Sequence, residues 1–330
     1  MKERVLITGA NGFIGSHLVE AALQAGFEVF AGIRPGCDMG HLGAYTLQYT
    51  FLNYFDVADL QEELEEKQYH YIIHAAGTTK SRSEAAYSRI NAEYTKNLGI
   101  AAVSAKIPLK KFVFISSLAA LGPTLTPHGA PIDEQSVAKP LTAYGRSKLL
   151  AEKYLSKLEN LPLVVLRPTA VYGPGEKDIF ILLKTLNCGL DLHIGKGAQR
   201  LSFVYVKDLA RVVIHALGSK GQQEIYNVSD GNCYDRYALA DYVLRILDKR
   251  AIRLHLPVGL VRIIAKVMEK VYRQGSSLPA LNEEKLCELT AMNWCCSIDH
   301  IRKSLGFNPS YNLEKGLVHT LRWYKENNWL

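Results

Sequence analysis

The chain has 330 residues, 48% hydrophobic and 22% charged, and its 39 Lys and Arg against 32 Asp and Glu leave a formal charge of +7. This balance builds a sizeable core and excludes disorder as the main state, and no apolar run approaches the ~20 residues a membrane-spanning helix needs. No targeting segment precedes the first strand, and six scattered cysteines without a CxxC pair predict free thiols in a reducing cytoplasm and no metal site.

Val5-Leu6-Ile7 reads as a first strand that ends at Thr8-Gly9, and apolar residues at helical spacing follow through Ile14, Leu18, Ala21 and Ala22. Further strands are predicted at 27–31, 47–52, 69–74, 111–116 and 163–167, with helices at 57–67, 83–105 and about 142–158 between them. Near-continuous apolar strands that alternate with helices imply an α/β fold with a parallel sheet covered on both faces. After Pro168 the regularity weakens. Segment 173–200 is rich in glycine, 202–206 leads into a helix from Lys207-Asp208, and one short strand and several helices are expected beyond 222. These read as a smaller, mostly helical region over the carboxyl edge of the sheet.

The first strand opens into Thr8-Gly9-Ala10-Asn11-Gly12-Phe13-Ile14-Gly15. Gly9, Gly12 and Gly15 permit a tight strand-to-helix turn and let the backbone approach a pyrophosphate, which the N–H groups around Asn11, Phe13 and Ile14 then face. The second strand ends in Gly32-Ile33-Arg34-Pro35, without the acidic residue that would bond the ribose 2′-OH of NAD. Arg34 suits a 2′-phosphate through its guanidinium fork, so NADP(H) is favoured over NAD(H). Asp56, just before Val57, is placed either to touch the adenine or to cap the helix that follows.

Tyr144-Gly-Arg-Ser-Lys148 sets a phenol and an ammonium on one helical face. The ammonium, with the positive ring of an oxidised nicotinamide, is expected to lower the phenol's pKa toward use as an acid or base. Ser116-Ser117 end the fifth strand at the carboxyl edge, where a hydroxyl can hold a carbonyl oxygen as charge develops.

TGANGFIG at 8–15, HAAG at 74–77, Asn91, SS at 116–117, YGRSK at 144–148, RPTAVYGPG at 167–175 and FVYVKDLA at 203–210 resemble the extended short-chain dehydrogenase/reductases, the NAD-dependent epimerase/dehydratase family, over about two thirds of the chain. The resemblance implies a doubly wound Rossmann domain over 1–172, with 202–220 returning to it, and a substrate region over 173–201 and 221–330. It implies Ser117, Tyr144 and Lys148 as the catalytic set, with Asn91 supporting the proton path. Cofactor contacts are then implied at Val57, Ala75, Ala76, Gly77, Ser116 and Pro168, besides Tyr144 and Lys148. Relatives often dimerise through a four-helix contact, which here falls on the helices at 83–105 and 142–158.

Departures from the family narrow the chemistry. Leu118-Ala119 replace the Asp-Glu pair of its dehydratases, Arg167-Pro168-Thr169-Ala170 is closer to its reductase and hydroxysteroid dehydrogenase branches than to its sugar epimerases, and Ala120-Leu121-Gly122 makes the wall beyond Ser117 more apolar. The expectation is an NADP(H)-dependent oxidoreductase that interconverts a ketone and a secondary alcohol, on an apolar substrate such as a 3-keto sphingoid base or sterol-like ketone. The alternative is a nucleotide-sugar epimerase with tightly bound NAD, using Arg200 or Lys196 at the diphosphate.

From 241 to 330 the tally is 14 basic against 9 acidic residues, which places +5 of the charge there. Leu260, Ile263, Ile264, Val267, Met268 and Val271 follow helical spacing, with Arg262, Lys266 and Lys270 on another face. The plain reading is a helix packed on the core with a solvated basic side; the functional reading of 258–273 is a peripheral contact with the inner face of a membrane. Nucleic acid is not expected as a partner.

Overall fold

The computed structural model describes residues 2–124, 126, 129–272 and 281–330. Its amino-terminal part alternates strand and helix: β1 (Arg4–Thr8), α1 (Phe13–Gln24), β2 (Glu28–Gly32), β3 (Gln48–Thr50), α2 (Val57–Lys67), β4 (Tyr71–His74), α3 (Glu84–Ser88), α4 (Tyr94–Ser104), β5 (Lys111–Ile115), α5 (Ala143–Leu155) and β6 (Leu163–Pro168). There follow β7 (Ala170–Tyr172), α6 (Asp178–Asn187), β8 (Leu190–Ile194), β9 (Arg200–Leu201), β10 (Phe203–Tyr205), α7 (Val206–Ala216) and β11 (Gln223–Val228). The chain ends in β12 (Tyr234–Asp235), α8 (Ala238–Leu247), β13 (Ile252–Leu256), α9 (Val258–Tyr272), α10 (Glu283–Thr290), α11 (Asp299–Leu305) and α12 (Leu313–Glu326).

Seven strands form one parallel sheet in the order β11-β6-β5-β4-β1-β2-β3. This is the doubly wound, Rossmann-type α/β fold. Alternation along each strand feeds two cores: Val5 and Ile7 of β1 face α1 and α7, while Leu6 faces the side covered by α2, α4 and α5. Both faces are covered, so the strands read as unbroken apolar runs. The strand order reverses beside β1, with β2 on one side and β4 on the other. This opens a crevice at the carboxyl ends of β1 and β4, where doubly wound sheets bind ligands.

The structure departs from the sequence expectations in several places. The helix expected at 83–105 is three pieces, α3, a π-helical turn Arg89–Glu93, and α4. Beyond 222 there are three strands rather than one, and β11 pairs with β6 as an outer strand of the main sheet. Cys233 and Cys295 form a disulfide, Cα atoms 5.3 Å apart, where free thiols were expected; their sequence separation of 62 hid the contact. In α9, Val261 and Ala265 turn inward, whereas Leu260, Ile263, Ile264 and Val267 are exposed. The basic helix therefore does not bury its apolar stripe as the plain reading required. Residue 273, at the end of that stretch, lies outside the described residues. A third core joins α6, α8 and α12, and Trp323 and Trp329 pack against it.

Candidate active site

The glycine loop is shaped by its own backbone. Gly9 has φ +66°, and a Cβ there would lie 2.8 Å from the Ala76 backbone, while one on Gly15 would lie 2.0 Å from the Gly9 carbonyl oxygen. Glycine at these positions is what brings β1 against the end of β4. Gly12 starts α1 without a side-chain cap, and the first turn carries no acidic residue. The amino-terminal N–H groups around Phe13 and Ile14 are thus left to an outside anion, which fits a pyrophosphate. Thr169 Oγ1, next to Pro168, is buried with no hydrogen-bond partner, a further opening for a polar ligand. The residues present fit a nicotinamide dinucleotide along this crevice.

Around the loop the expected contacts divide. Arg34 follows β2 and is exposed. Asp38, the nearest acid beyond that strand, is occupied: its carboxylate accepts from Gly40 N at 2.9 Å, and its carbonyl accepts from Asn11 Nδ2 at 3.4 Å. Asp56 caps α2, accepting from Ala58 N at 2.7 Å and Asp59 N at 3.4 Å, and Val57 packs against the core under that helix. Ala75 packs on the other core, and Ala76 N donates to Thr8 Oγ1 at 3.1 Å. A Cβ on Gly77 would lie 3.0 Å from Asn91 Oδ1 and 3.5 Å from Lys148 Nζ, so this backbone borders both side chains.

Thr142 caps α5, and one turn of that helix sets Tyr144 and Lys148 on the face toward β5. The Tyr144 hydroxyl is buried beside the Ser117 side chain, whose Oγ accepts from Ala119 N at 3.2 Å. Lys148 is buried, with Nζ donating to Ile115 O at 2.8 Å and lying 4.7 Å from the centre of the Phe114 ring. Burial draws its pKa down to about 8 against the opposing pull of Glu152. Burial also pushes Tyr144 up to about 12, with the nearby Ser117 side chain opposing it. This reverses the expected direction: within the chain itself desolvation outweighs stabilisation of the phenolate.

Ser116 and Asn91 are both engaged within the chain. The Ser116 hydroxyl donates to Glu152 Oε1 at 2.5 Å and its amide donates to Leu166 O at 2.8 Å, so its side chain is not turned to a cofactor. Glu152 also takes Arg167 in a buried fork, with Nη2 to Oε2 at 2.5 Å and Nε to Oε1 at 3.0 Å, which locks α5 to β6. Asn91 lies on the π-helical turn. Its Nδ2 donates to Thr78 O and Ser147 Oγ, each at 3.0 Å, and its Oδ1 accepts from Thr78 N at 2.8 Å. It clamps the segment after β4 to α5.

His74 is a further group that sequence reasoning left unassigned. Its ring is buried, with Nδ1 2.7 Å from Thr8 Oγ1 and Nε2 2.8 Å from Thr95 Oγ1. Thr95 donates to Asn91 O at 2.8 Å, so it accepts from His74 Nε2–H, and Thr8 donates to Nδ1. A neutral imidazole thus joins the glycine-loop strand to the turn that carries Asn91. Its pKa falls to about 3 through burial, with the Lys148 charge adding to the effect. Glu284 of α10 is another such group: its carboxylate accepts from Ala143 N at 3.0 and 2.9 Å and from Arg146 Nη2 at 2.9 Å, closing α10 over the start of α5. Leu121, expected in an apolar wall, is buried in a small cluster with Leu118, Ile132 and Cys296.

Relatives span the full chain. It is 26% identical to a UDP-glucose 4-epimerase of Vibrio cholerae, covering 99% of this chain and 97% of that one, and 26% identical to a ceramide reductase of Caulobacter vibrioides, covering 99% and 96%. The solved UDP-glucose 4-epimerase of Thermotoga maritima, in complex with UDP-glucose, has a TM-score of 0.79 at 21% identity over 98% of this chain and 99% of its own, a likeness of fold. The sequence model of the NAD dependent epimerase/dehydratase family matches residues 5–229, from β1 through β11. With the glycine crevice and the Ser117–Tyr144–Lys148 group inside that span, the chain belongs to the NAD dependent epimerase/dehydratase family and is an enzyme of oxidoreductase type.

Proposed function

We propose that the protein is an NADP(H)-dependent oxidoreductase that interconverts a ketone and a secondary alcohol on an apolar substrate. The observation that carries this reading is the group at the carboxyl edge of β5: Tyr144 buried beside the Ser117 hydroxyl, with Lys148 buried one turn on. When bound, the nicotinamide supplies hydride chemistry. Phe13, Ile14 and Gly15 would hold the pyrophosphate at the start of α1, Arg34 a 2′-phosphate, and Lys148 the nicotinamide ribose. Tyr144 keeps its proton across the neutral range, because burial raises its pKa, and is poised to give it to a carbonyl oxygen. Ser117 Oγ–H would donate to that same oxygen and hold it in place. Asn91 keeps the segment beyond β4 in register with α5.

Leu118 and Ala119 offer no acid or base beside Ser117, which argues against dehydration. The apolar substrate draws support from the ceramide reductase among the relatives and from the exposed apolar stripe of α9. A second reading, a nucleotide-sugar epimerase, draws support from the UDP-glucose 4-epimerases among the relatives. Mass spectrometry of the purified protein separates the two: tightly held NAD supports epimerisation, whereas an empty protein that binds NADPH ahead of NADH supports the reductase. Tyr144→Phe should lower turnover roughly 10²–10⁴-fold with cofactor affinity unchanged; retained turnover removes Tyr144 from the reaction.

A further inference from the structure

The two-stranded parallel sheet of β8 and β13 is turned inside out. Its inward positions are polar. Asp191 is buried, and Arg253 Nε reaches its Oδ2 at 2.6 Å; His193 packs edge-on against Tyr237, whose hydroxyl lies 2.9 Å from His255 Nε2. The outward positions are Leu190 and Leu192 of β8 beside Ile252 and Leu254 of β13, paired in register and exposed, Ile252 to 67%. Such alternation normally places the apolar side toward the core.

From β13 the chain passes through Pro257 directly into α9, which repeats the arrangement. Leu260, Ile263, Ile264 and Val267 form one exposed stripe, with Ile263 62% and Val267 56% accessible. Arg262, Lys266 and Lys270 lie along one edge of that stripe and are exposed. Between 249 and 270, Lys249, Arg250, Arg262, Lys266 and Lys270 stand against one acidic residue, Glu269; Arg253 is taken up by Asp191 and Asp241, and Lys266 Nζ lies 3.4 Å from Glu283 Oε1. Contiguous exposed apolar side chains mark a docking surface, and a basic border selects an anionic partner.

We propose that this face docks on an anionic lipid bilayer. An apolar stripe beside a cationic edge is the pattern of a helix lying in the plane of the interface, with its aliphatic side chains below the headgroups and its cations among them. Charge complementarity selects a bilayer of net negative charge. The same face is coupled to the site. Glu269 of α9 accepts from Glu283 N at 2.9 Å, and the neighbouring Glu284 holds the start of α5 beside Tyr144. Docking therefore sets the catalytic helix close to the bilayer. The surface stands on its own chemistry and does not depend on the proposed reaction.

The test is co-sedimentation of the full-length protein with two kinds of vesicle, pure phosphatidylcholine and equal parts phosphatidylcholine and phosphatidylglycerol. The wild type should bind the mixed vesicles and not the neutral ones. Arg262→Gln with Lys266→Gln and Lys270→Gln should weaken binding roughly 100-fold, at about fivefold per cation. Ile263→Ser with Val267→Ser should also abolish it, at unchanged melting temperature because both side chains are exposed. Tyr144→Phe should bind like the wild type, which separates docking from turnover. No binding to the mixed vesicles overturns the proposal, as does binding that survives Ile263→Ser with Val267→Ser. Wild-type self-association in sedimentation velocity that is lost in the same double variant also overturns it, by making this face a contact between two copies of the chain.

Discussion

Burial draws the Lys148 ammonium down to about 8, below its ordinary 10.5. Between those values the unfolded chain holds the proton and the folded chain releases it, so stability rises with pH there. Below about 8 the whole penalty of burying the charge is present, about 3 kcal/mol. Lys148→Met should therefore raise the denaturation midpoint at neutral pH while turnover falls by more than roughly 100-fold. Loss of both would show that the Ile115 carbonyl and the Phe114 ring outweigh desolvation. Tyr144 and Lys148 were legible from their spacing, because one helical turn fixes their common face. The direction of the Tyr144 shift was not, since desolvation depends on everything packed around the phenol.

Among the elements, β1, β4 and α4 are held together by His74, which bonds Thr8 and Thr95. Its pKa falls from 6.5 to about 3, so as pH drops from the upper to the lower value the unfolded chain takes a proton that the folded chain refuses. Stability should then decline by ~1.4 kcal/mol per pH unit across that window, and His74→Gln should flatten this part of the profile in urea titrations. A second junction joins α5 to β6 through Glu152 and Arg167. Arg167→Met alone leaves a buried carboxylate unpaired and should cost ~3–5 kcal/mol in chemical denaturation; adding Glu152→Met should recover most of it. A double variant no more stable than the single would mean that Ser116 and the carboxylate carry the junction. Neither junction was visible in sequence. His74 sits inside a recognised motif with no stated partner, and Arg167 lies 15 positions from Glu152 on another element.

Across the whole molecule, the carboxyl-terminal region reaches back to α5, which carries Tyr144 and Lys148. Glu284 caps α5 from 141 positions away. Glu284→Ala should lower stability by ~1 kcal/mol, the cost of a lost cap, and reduce kcat with cofactor affinity unchanged. Glu284→Gln keeps an acceptor and should restore most of both; if kcat is unmoved by either variant, α10 does not position the site. At this scale the sequence pointed to the right excess of charge in the last 90 residues. It misjudged which side of α9 is covered.

Local chemistry was readable from the chain. Apolar strands alternating with helices specify a sheet covered on both faces, three glycines after the first strand specify a tight strand-to-helix turn, and Tyr144 and Lys148 share a face because a helix repeats every 3.6 residues. These follow from backbone geometry over a few neighbouring positions. The tertiary structure alone decided that β11 completes the main sheet, that Cys233 meets Cys295, that Ser116 turns to Glu152, and that the apolar stripe of α9 and the outer face of β8 and β13 remain exposed. Periodicity says that a stripe exists. What covers it depends on segments far away in the chain, whose placement is set by packing rather than by spacing.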